Sequence, residues 1–163
     1  MHDSQACTIA PVSEAELPLL EAALRALAAD LGDDYRADQC TLAAAVCGPN
    51  ATCLALLATK AMREIGVILA APVFSTTLGG SGLFVTDLWV APAERRNGLA
   101  RQLLASAAHE GARRNMGRFL KLVVYDTNLH ARATYEHLGF AAHAGETNMA
   151  LSGKALHNLK APS

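Results

Sequence analysis

Three arginines surround a glycine and an alanine in the segment RRNGLAR, Arg95 to Arg101, which separates an apolar run ending at Val90 from a helix-like pattern. The first amides of a helix have no intrahelical partner, and Gly98 lets a ligand approach the backbone closely. The arginines can add charge-assisted hydrogen bonds. The segment therefore favours binding of a pyrophosphate-like anion. An arginine-rich helix start without a ligand is the alternative that these residues leave open.

The rest of the sequence carries no competing phosphate or metal motif. It has no GxxxxGK[ST] pattern, no GxGxxG follows an apolar run, and GGSG from Gly79 is typical of a turn. His130 and His137 could share a helix face, but no third ligand accompanies them, so we expect no metal site. Nor does a GxSxG or Cys/His signature indicate a covalent nucleophile.

Two helices are predicted before the first long apolar run. Leucines recur at three- and four-residue steps and draw one apolar stripe, formed by Leu17, Leu20, Leu24, Leu27 and Leu31. The start of this helix is open, because Ser13 and Glu16 have capping-box spacing whereas Pro18 fits a first turn. Asp38 can cap a shorter helix through Cys47.

Three apolar runs then predict an antiparallel meander, with strands from Thr52, from Ile65 and from Gly82 to Val90. A helical period follows, with Leu99, Leu103, Ala107 and Gly111 on one face. The next strand, from Arg118, should pair in parallel with the strand ending at Val90 through a right-handed crossover.

Asn128 opens a further short helix that Gly139 closes, and FAAH and TNMALSG are predicted to complete the sheet. The order α α β β β α β α β β indicates a three-layer α/β (α+β) domain.

Bulk properties predict one domain over residues 1–163 that stays in the cytoplasm. The 14 basic and 15 acidic residues give no field that would gather nucleic acid or an anionic membrane. The chain start has no signal-peptide pattern, and no apolar run is long enough to span a bilayer. The four cysteines, Cys7, Cys40, Cys47 and Cys53, are expected to be buried thiols.

RRNGLA, Arg95 to Ala100, resembles the R/Q-x-x-G-x-G/A signature of the GCN5-related N-acetyltransferase (GNAT) superfamily. NLHARATYEHLGF, Asn128 to Phe140, is similar to a second segment of that family, N-x-x-A-x-x-x-Y-x-x-x-G-F. FSTTLGGSGLFVTDLWV and LSGKAL are similar to the polyamine and diamine acetyltransferase branch. The resemblance implies a GNAT-like fold with a mostly antiparallel sheet, a central, splayed parallel strand pair and helices on both faces. It also implies acetyl-CoA as the acetyl donor.

The resemblance also implies which residues hold acetyl-CoA. The backbone of the segment Leu88, Trp89 and Val90 would bond the pantetheine arm and polarise the thioester carbonyl. The pyrophosphate would lie on Arg95, Arg96, Asn97, Gly98, Leu99, Ala100 and Arg101, and the helix of Asn128 and Tyr135 would contribute an arm contact and a hydroxyl near the sulfur.

The expected chemistry needs an acid and a base. A phenol with a pKa of about 10 is protonated at neutral pH, so Tyr135 can protonate a departing thiolate. An alkyl ammonium is only about one part in a thousand deprotonated at that pH, so a base should assist. The polyamine branch has an acidic pair where this chain has Thr86 and Asp87. Asp87 could act through a water, or it could be structural.

The acceptor is less well defined. Asp33, Asp34 and Tyr35 lie in the loop through which the family's acceptor often enters, and with Asp87 and Trp89 they are the candidate acceptor residues. A solvated acidic turn is the alternative for the loop, and a core or dimer contact for Trp89. Met149 and Ala150 stand where the branch usually has an aromatic and a basic residue, which suggests a more apolar pocket.

The sequence thus predicts an acetyltransferase acting on a primary amine, small or polyamine-like, by direct attack in a ternary complex. An acyl-CoA sensor or scaffold without turnover is the rival reading, and a protein lysine or N-terminal acetyltransferase is another. Relatives of this branch are commonly dimers, so a homodimer is expected.

Overall fold

The computed structural model describes residues 6–160, in two compact units, one reaching to Val123 and the other beginning at Val124. The elements of the first unit are β1 (Thr8–Pro11), α1 (Leu17–Leu31), α2 (Gln39–Val46), β2 (Leu54–Lys60), β3 (Arg63–Ser75), β4 (Gly80–Val90), α3 (Leu99–Arg113) and β5 (Leu120–Leu122). The second unit contains α4 (Leu129–His137) and α5 (Gly153–Lys160). None of the helices described in these residues is long and apolar enough to cross a bilayer.

The five strands form one sheet in the order β1-β2-β3-β4-β5. All neighbours are antiparallel except β4 and β5, which are parallel and are joined through α3. The predicted meander and parallel crossover are confirmed. Since no strand follows β5 among the described residues, this pair lies at one end of the sheet and not at its centre, as the resemblance had implied.

Helices cover both faces of the sheet, as predicted. Successive residues of a strand point to opposite faces. On β3, a Cβ added at Gly66 would lie 3.0 Å from Leu103 of α3. The next residue, Val67, belongs to the buried cluster that α1 forms with its Leu20 and Leu24. Of the predicted stripe of α1, Leu17, Leu20 and Leu24 are buried, whereas Leu31 is exposed. The buried part of this stripe and the apolar face of α3 pack on opposite faces of the sheet.

A β-bulge at Thr86 changes which residues of β4 face which helix. Val85 pairs with Ala70 and Asp87 with Leu69, so Thr86 is an extra residue on β4. Leu83, before the bulge, packs against Gly111 of α3. Trp89, after the bulge, lies in the α1 cluster. The bulge thus turns the odd-numbered side chains from one face to the other.

Hydrogen bonds explain the ends of α1 and α2. Gly32 takes a left-handed φ of 74° and donates to Ala29, while Asp33 donates to Ala28, which is a Schellman motif. Asp38 caps α2 as predicted, because its Oδ1 accepts from the Thr41 amide at 2.7 Å. That hydrogen bond lowers the pKa of the Asp38 carboxyl.

The chain ends differ from the prediction. Thr8–Pro11 forms the edge strand β1, which the sequence reading missed. The two strands predicted over 140–143 and 147–153 are wrong, because these residues form no strand, are mostly exposed and turn at Gly145 with φ 83°. Alanine, glycine and polar residues dominate there, and they gain little from a half-buried sheet position. Gly153 instead begins α5.

The prediction of buried cysteines is also wrong in part. All four thiols are free, but Cys7 and Cys40 are exposed, and Cys47 and Cys53 are half-buried.

Candidate functional site

The last five residues of β4 form an open strand edge within the first unit. β5 pairs only with Leu83, Phe84 and Val85. From Thr86 to Val90 the strand has β3 on one side and no strand partner on the other among residues 6–123. An edge of this kind presents unpaired amides and carbonyls to a ligand.

Alternation along the antiparallel ladder decides which backbone groups face that open edge. The Ala91 amide donates to the Ile65 carbonyl of β3 at 2.9 Å. In an antiparallel ladder every second residue bonds to the same neighbour, so Trp89 faces β3 and Leu88 and Val90 face away. Of the three residues predicted to bond the pantetheine arm, Leu88 and Val90 therefore have their backbone groups at the open edge.

The turn after β4 points several amides in one direction. Arg96 and Gly98 have left-handed φ values of 65° and 79°. The first hydrogen bond of α3 runs from the Gln102 amide to the Gly98 carbonyl at 3.1 Å. The amides from Leu99 to Arg101 precede that bond and have no helical acceptor. This arrangement resembles the amide nests that bind anions.

Free positive charge surrounds the turn. Arg96, Asn97 and Arg101 are exposed, and neither arginine forms an ion pair within the part of the chain described here. A Cβ added at Gly98 would meet no atom of the described residues within 4 Å, so the backbone at this position can be approached. Leu99 is buried, and Ala100 is half-buried and has a short side chain. These residues fit a bound pyrophosphate.

Arg95 is held differently from the other two arginines. Its Nε donates to the Val90 carbonyl at 2.9 Å, and its Nη2 donates to Asp30 Oδ2 at 2.5 Å. The same Asp30 oxygen accepts from the Trp89 indole at 3.0 Å. Trp89 is only 8% exposed and packs in the α1 cluster. The structure thus gives Trp89 a core position and fixes Arg95 against the end of β4.

Asp87 and Tyr35 share the α1 side of the sheet. Asp87 is half-buried beside Trp89, and burial raises the pKa of its carboxyl. Tyr35 packs against the α1 cluster, and its pKa is raised by burial first and then by Glu21, Asp87 and Asp38. The Tyr35 hydroxyl is buried and has no hydrogen-bond partner among residues 6–160. A predicted base and a predicted acceptor residue are therefore within electrostatic reach of each other.

The two aspartates of the loop behave differently from Tyr35. Asp33 and Asp34 are exposed, and Asp34 pairs with Arg36 at 3.1 Å. This part of the loop agrees with the solvated acidic turn that the sequence left open. Only Tyr35 of the three turns inward.

In the second unit, Asn128 caps α4, since its Oδ1 accepts from the Ala131 amide at 3.2 Å. Tyr135 is half-buried on the same helix, and burial raises the pKa of its phenol. Its ring meets Phe140 edge-on, with centroids 5.7 Å apart. Gly139, with φ 96°, ends the helix as predicted. Tyr135 is thus held protonated on an ordered helix.

Sequence reasoning missed Asp30 and Arg25. Asp30 lies in the last turn of α1, where nothing in its neighbourhood marks it, because its partners are 59 and 65 residues away. Arg25 lies over the Tyr35 ring, with Cζ 4.4 Å from the centroid. Its spacing of four from Glu21 is typical of an ion pair along a helix, and that pair forms at 2.7 Å. Within residues 6–160, no three metal-ligating side chains gather into a metal site.

Comparison with known proteins gives a family and a fold. A model of the acetyltransferase (GNAT) family matches residues 19–140. An aminoglycoside acetyltransferase from an uncultured soil metagenomic sample, solved with sisomicin, has a TM-score of 0.75 at 13% identity over 91% of this chain and 97% of that one. The aminoglycoside N-acetyltransferase AAC(6')-Iy, solved with CoA, has a TM-score of 0.75 at 15% sequence identity, over 94% of this chain and 99% of that one. A ribosomal-protein-alanine N-acetyltransferase from Brucella melitensis has a TM-score of 0.71 at 18% sequence identity, over 90% of this chain and 100% of that one.

Proposed function

This chain belongs to the GNAT family of acetyl-CoA-dependent N-acetyltransferases, and from that premise we propose that its acceptor is a small, positively charged primary amine attacked directly in a ternary complex. One observation carries the choice of acceptor. A half-buried carboxylate, Asp87, lies on the same side of the sheet as Tyr35, whose buried hydroxyl has no partner in the described part of the chain. An ammonium can offset the buried charge and donate to the hydroxyl.

The cofactor half of the proposal rests on the turn after β4. Arg96 and Arg101 hold the pyrophosphate together with the amides at the start of α3. The backbone of Leu88 and the amide of Val90 bond the pantetheine arm along the open edge, and a backbone N–H there polarises the thioester carbonyl. Bound acetyl-CoA supplies an acetyl group activated by its thiolate leaving group. Asn128 contributes a further contact to the arm.

The proton transfers are assigned to two side chains. Asp87 takes a proton from the acceptor ammonium, directly or through a water, and its raised pKa makes it a better base than an exposed aspartate. The neutral amine forms the new N–C bond as the C–S bond breaks. Tyr135 gives its proton to the leaving sulfur, and its raised pKa keeps the phenol protonated until then. The nitrogen of the new amide then loses its remaining extra proton, which restores the Tyr135 phenol, and Asp87 releases the proton it took to solvent, so the products are a neutral amide and a thiol.

Similar folds act on different acceptors. Two of the similar structures are aminoglycoside acetyltransferases, whereas a third is a ribosomal-protein-alanine N-acetyltransferase. The inward Tyr35 and Asp87 favour a small cation over a peptide here. Diamines, polyamines and aminoglycosides are the acceptor classes that meet this requirement.

An acceptor screen tests the proposal. Purified protein is mixed with acetyl-CoA and, in separate reactions, with diamines, polyamines, aminoglycosides, amino acids and an alanine-initiated peptide, and released thiol is titrated. Saturable, amine-dependent release with a small cationic amine is expected, and the same amine blocked by N-acetylation should give none. Release with the peptide alone would overturn the acceptor class, and acetyl-CoA binding without release in any reaction would favour a sensor.

A further inference from the structure

We propose that Asp30 is a positioning residue for coenzyme A, because it holds Arg95 and Trp89 and thereby fixes the pyrophosphate turn against the end of α1. This inference rests on the proposed function, since it takes the turn at Arg95 to Arg101 as the site of the pyrophosphate. We call Asp30, Trp89 and Arg95 the Asp30 clamp.

The Asp30 clamp joins three parts of the first unit through one carboxylate oxygen. Asp30 Oδ2 accepts from Trp89 of β4 at 3.0 Å and from Arg95 of the turn at 2.5 Å. Arg95 also donates to the Val90 carbonyl at 2.9 Å, so its guanidinium closes the turn back onto the strand. Two donors of Arg95 are therefore committed inside the protein. Arg95 acts through the shape of the turn, whereas Arg96 and Arg101 remain available to the anion.

The position of Asp30 in its helix indicates that a carboxylate is favoured there by the contacts with Trp89 and Arg95 and not by the helix. It lies one residue before the last residue of α1, where the helix dipole is negative, and no basic residue stands in the last turn. A carboxylate is unfavourable at that end of a helix. For the helix alone, asparagine would be as good or better. Only the clamp gives the charge of Asp30 a favourable role.

The clamp also links the turn to the acceptor loop. The last turn of α1, which carries Asp30, ends at Gly32 and leads directly into the loop with Tyr35. Movement of the pyrophosphate turn is thus restrained by the same helix end that begins the loop. Asp30 holds the two halves of the site in a fixed relation within this unit.

The test compares wild type with Asp30→Asn and Arg95→Gln by calorimetric titration with coenzyme A, without any acceptor. Each substitution is expected to raise the Kd three- to tenfold, and the double variant to bind like Arg95→Gln alone, because both act through one interaction. Glu110→Gln is the matched control, since Glu110 also pairs with an arginine, Arg114, at 3.1 Å, but at the far end of α3. Its Kd should stay within twofold of wild type.

Tryptophan fluorescence gives a second measurement that a purely helical role would not change. Trp89 is the only tryptophan in the chain, and its indole N–H donates to Asp30. The emission maximum should shift in Asp30→Asn and stay at the wild-type position in Glu110→Gln. An unshifted emission, a Kd within twofold of wild type, or additive effects in the double variant would overturn the clamp. Wild type that binds no coenzyme A would instead overturn the proposed function and the clamp with it.

Discussion

The guanidinium of Arg25 lies over the ring of Tyr35, with Cζ 4.4 Å from the ring centroid, and none of the residues from 6 to 160 gives the hydroxyl of that ring a hydrogen-bond partner. The ring is well held by this contact and by the α1 cluster, whereas its polar atom is left unsatisfied. A buried polar atom without a partner lowers stability. The Tyr35 hydroxyl therefore lowers the stability of the free protein while leaving a polar group for the proposed acceptor to bind.

Tyr35→Phe keeps the ring and removes the unpaired hydroxyl. We expect the free energy of unfolding to rise by about 1 kcal/mol, since the desolvation cost of the hydroxyl is removed. The KM for the amine acceptor should rise several-fold. Urea denaturation and steady-state kinetics measure the two effects. A less stable variant would show that the hydroxyl has a partner in solution.

Asp87→Asn tests the base through its pH dependence. Activity of wild type should fall as pH drops through the raised pKa of Asp87, so the acidic limb of kcat/KM should lie above the usual aspartate value of about 3.9. The variant should lose that limb, and its kcat should fall about 100-fold. An unchanged limb would remove Asp87 from the proton transfer.

The same pKa shift affects stability with a definite sign. The folded carboxyl binds its proton more tightly than the unfolded one, so the wild-type free energy of unfolding should fall as pH rises from the unfolded pKa through the folded pKa. Asp87→Asn should lack this fall. Thermal unfolding of both proteins across that window makes the comparison.

Tyr135→Phe tests the proposed acid. The kcat should fall about 100-fold, because no phenol remains to protonate the leaving sulfur, while the Kd for acetyl-CoA should change less than threefold. Tyr125→Phe, at a tyrosine that is 51% exposed, is the control and should keep wild-type kcat. Wild-type turnover in Tyr135→Phe would exclude the role.

Arg96→Ala and Arg101→Ala test the pyrophosphate turn. Each should raise the Kd for coenzyme A about tenfold, because a charge-assisted hydrogen bond is lost, and both effects should shrink at high salt. Arg113→Ala, in the last turn of the same helix, should bind normally. Calorimetry at two ionic strengths provides the data, and equal losses in all three variants would indicate a non-specific charge effect.

Gly82→Ala tests the close approach of β4 to the segment before β5. A Cβ at Gly82 would collide with the Phe119 carbonyl and lie 2.7 Å from the ring of the same residue. We expect a loss of about 2 kcal/mol or more in unfolding free energy, since the neighbouring atoms belong partly to the backbone. Urea denaturation measures it, and a neutral substitution would mean that the strands can move apart.

The elements that position the site were predictable because local patterns determine them. The stripe of α1, the buried face of α3 with Leu103 and Ala107, and the Asp38 cap follow from period and residue type. The parallel pair follows from a strand, a helix and a strand in that order. These patterns need no knowledge of distant contacts.

The contacts within the site were not predictable in the same way. The Asp30 clamp joins residues far apart in sequence, and the bulge at Thr86 leaves no sign in the order of apolar residues. No strand forms over the predicted range 147–153, and α5 begins only at the last of these residues, Gly153. Contacts between residues distant in sequence, and the register of β4, are therefore known only from the structure and not from the periodicity of the sequence.

The extra residue at Thr86 determines which side chains of β4 face α1 and which face α3. If Thr86 instead paired with Leu69 in regular register, β4 would alternate strictly, and Asp87 would then point toward α3 while Leu88 pointed toward α1. An acidic and an aliphatic side chain would exchange faces of the sheet without either being mutated. In this strand, the bulge determines which side chain faces the amine as much as the residue types do.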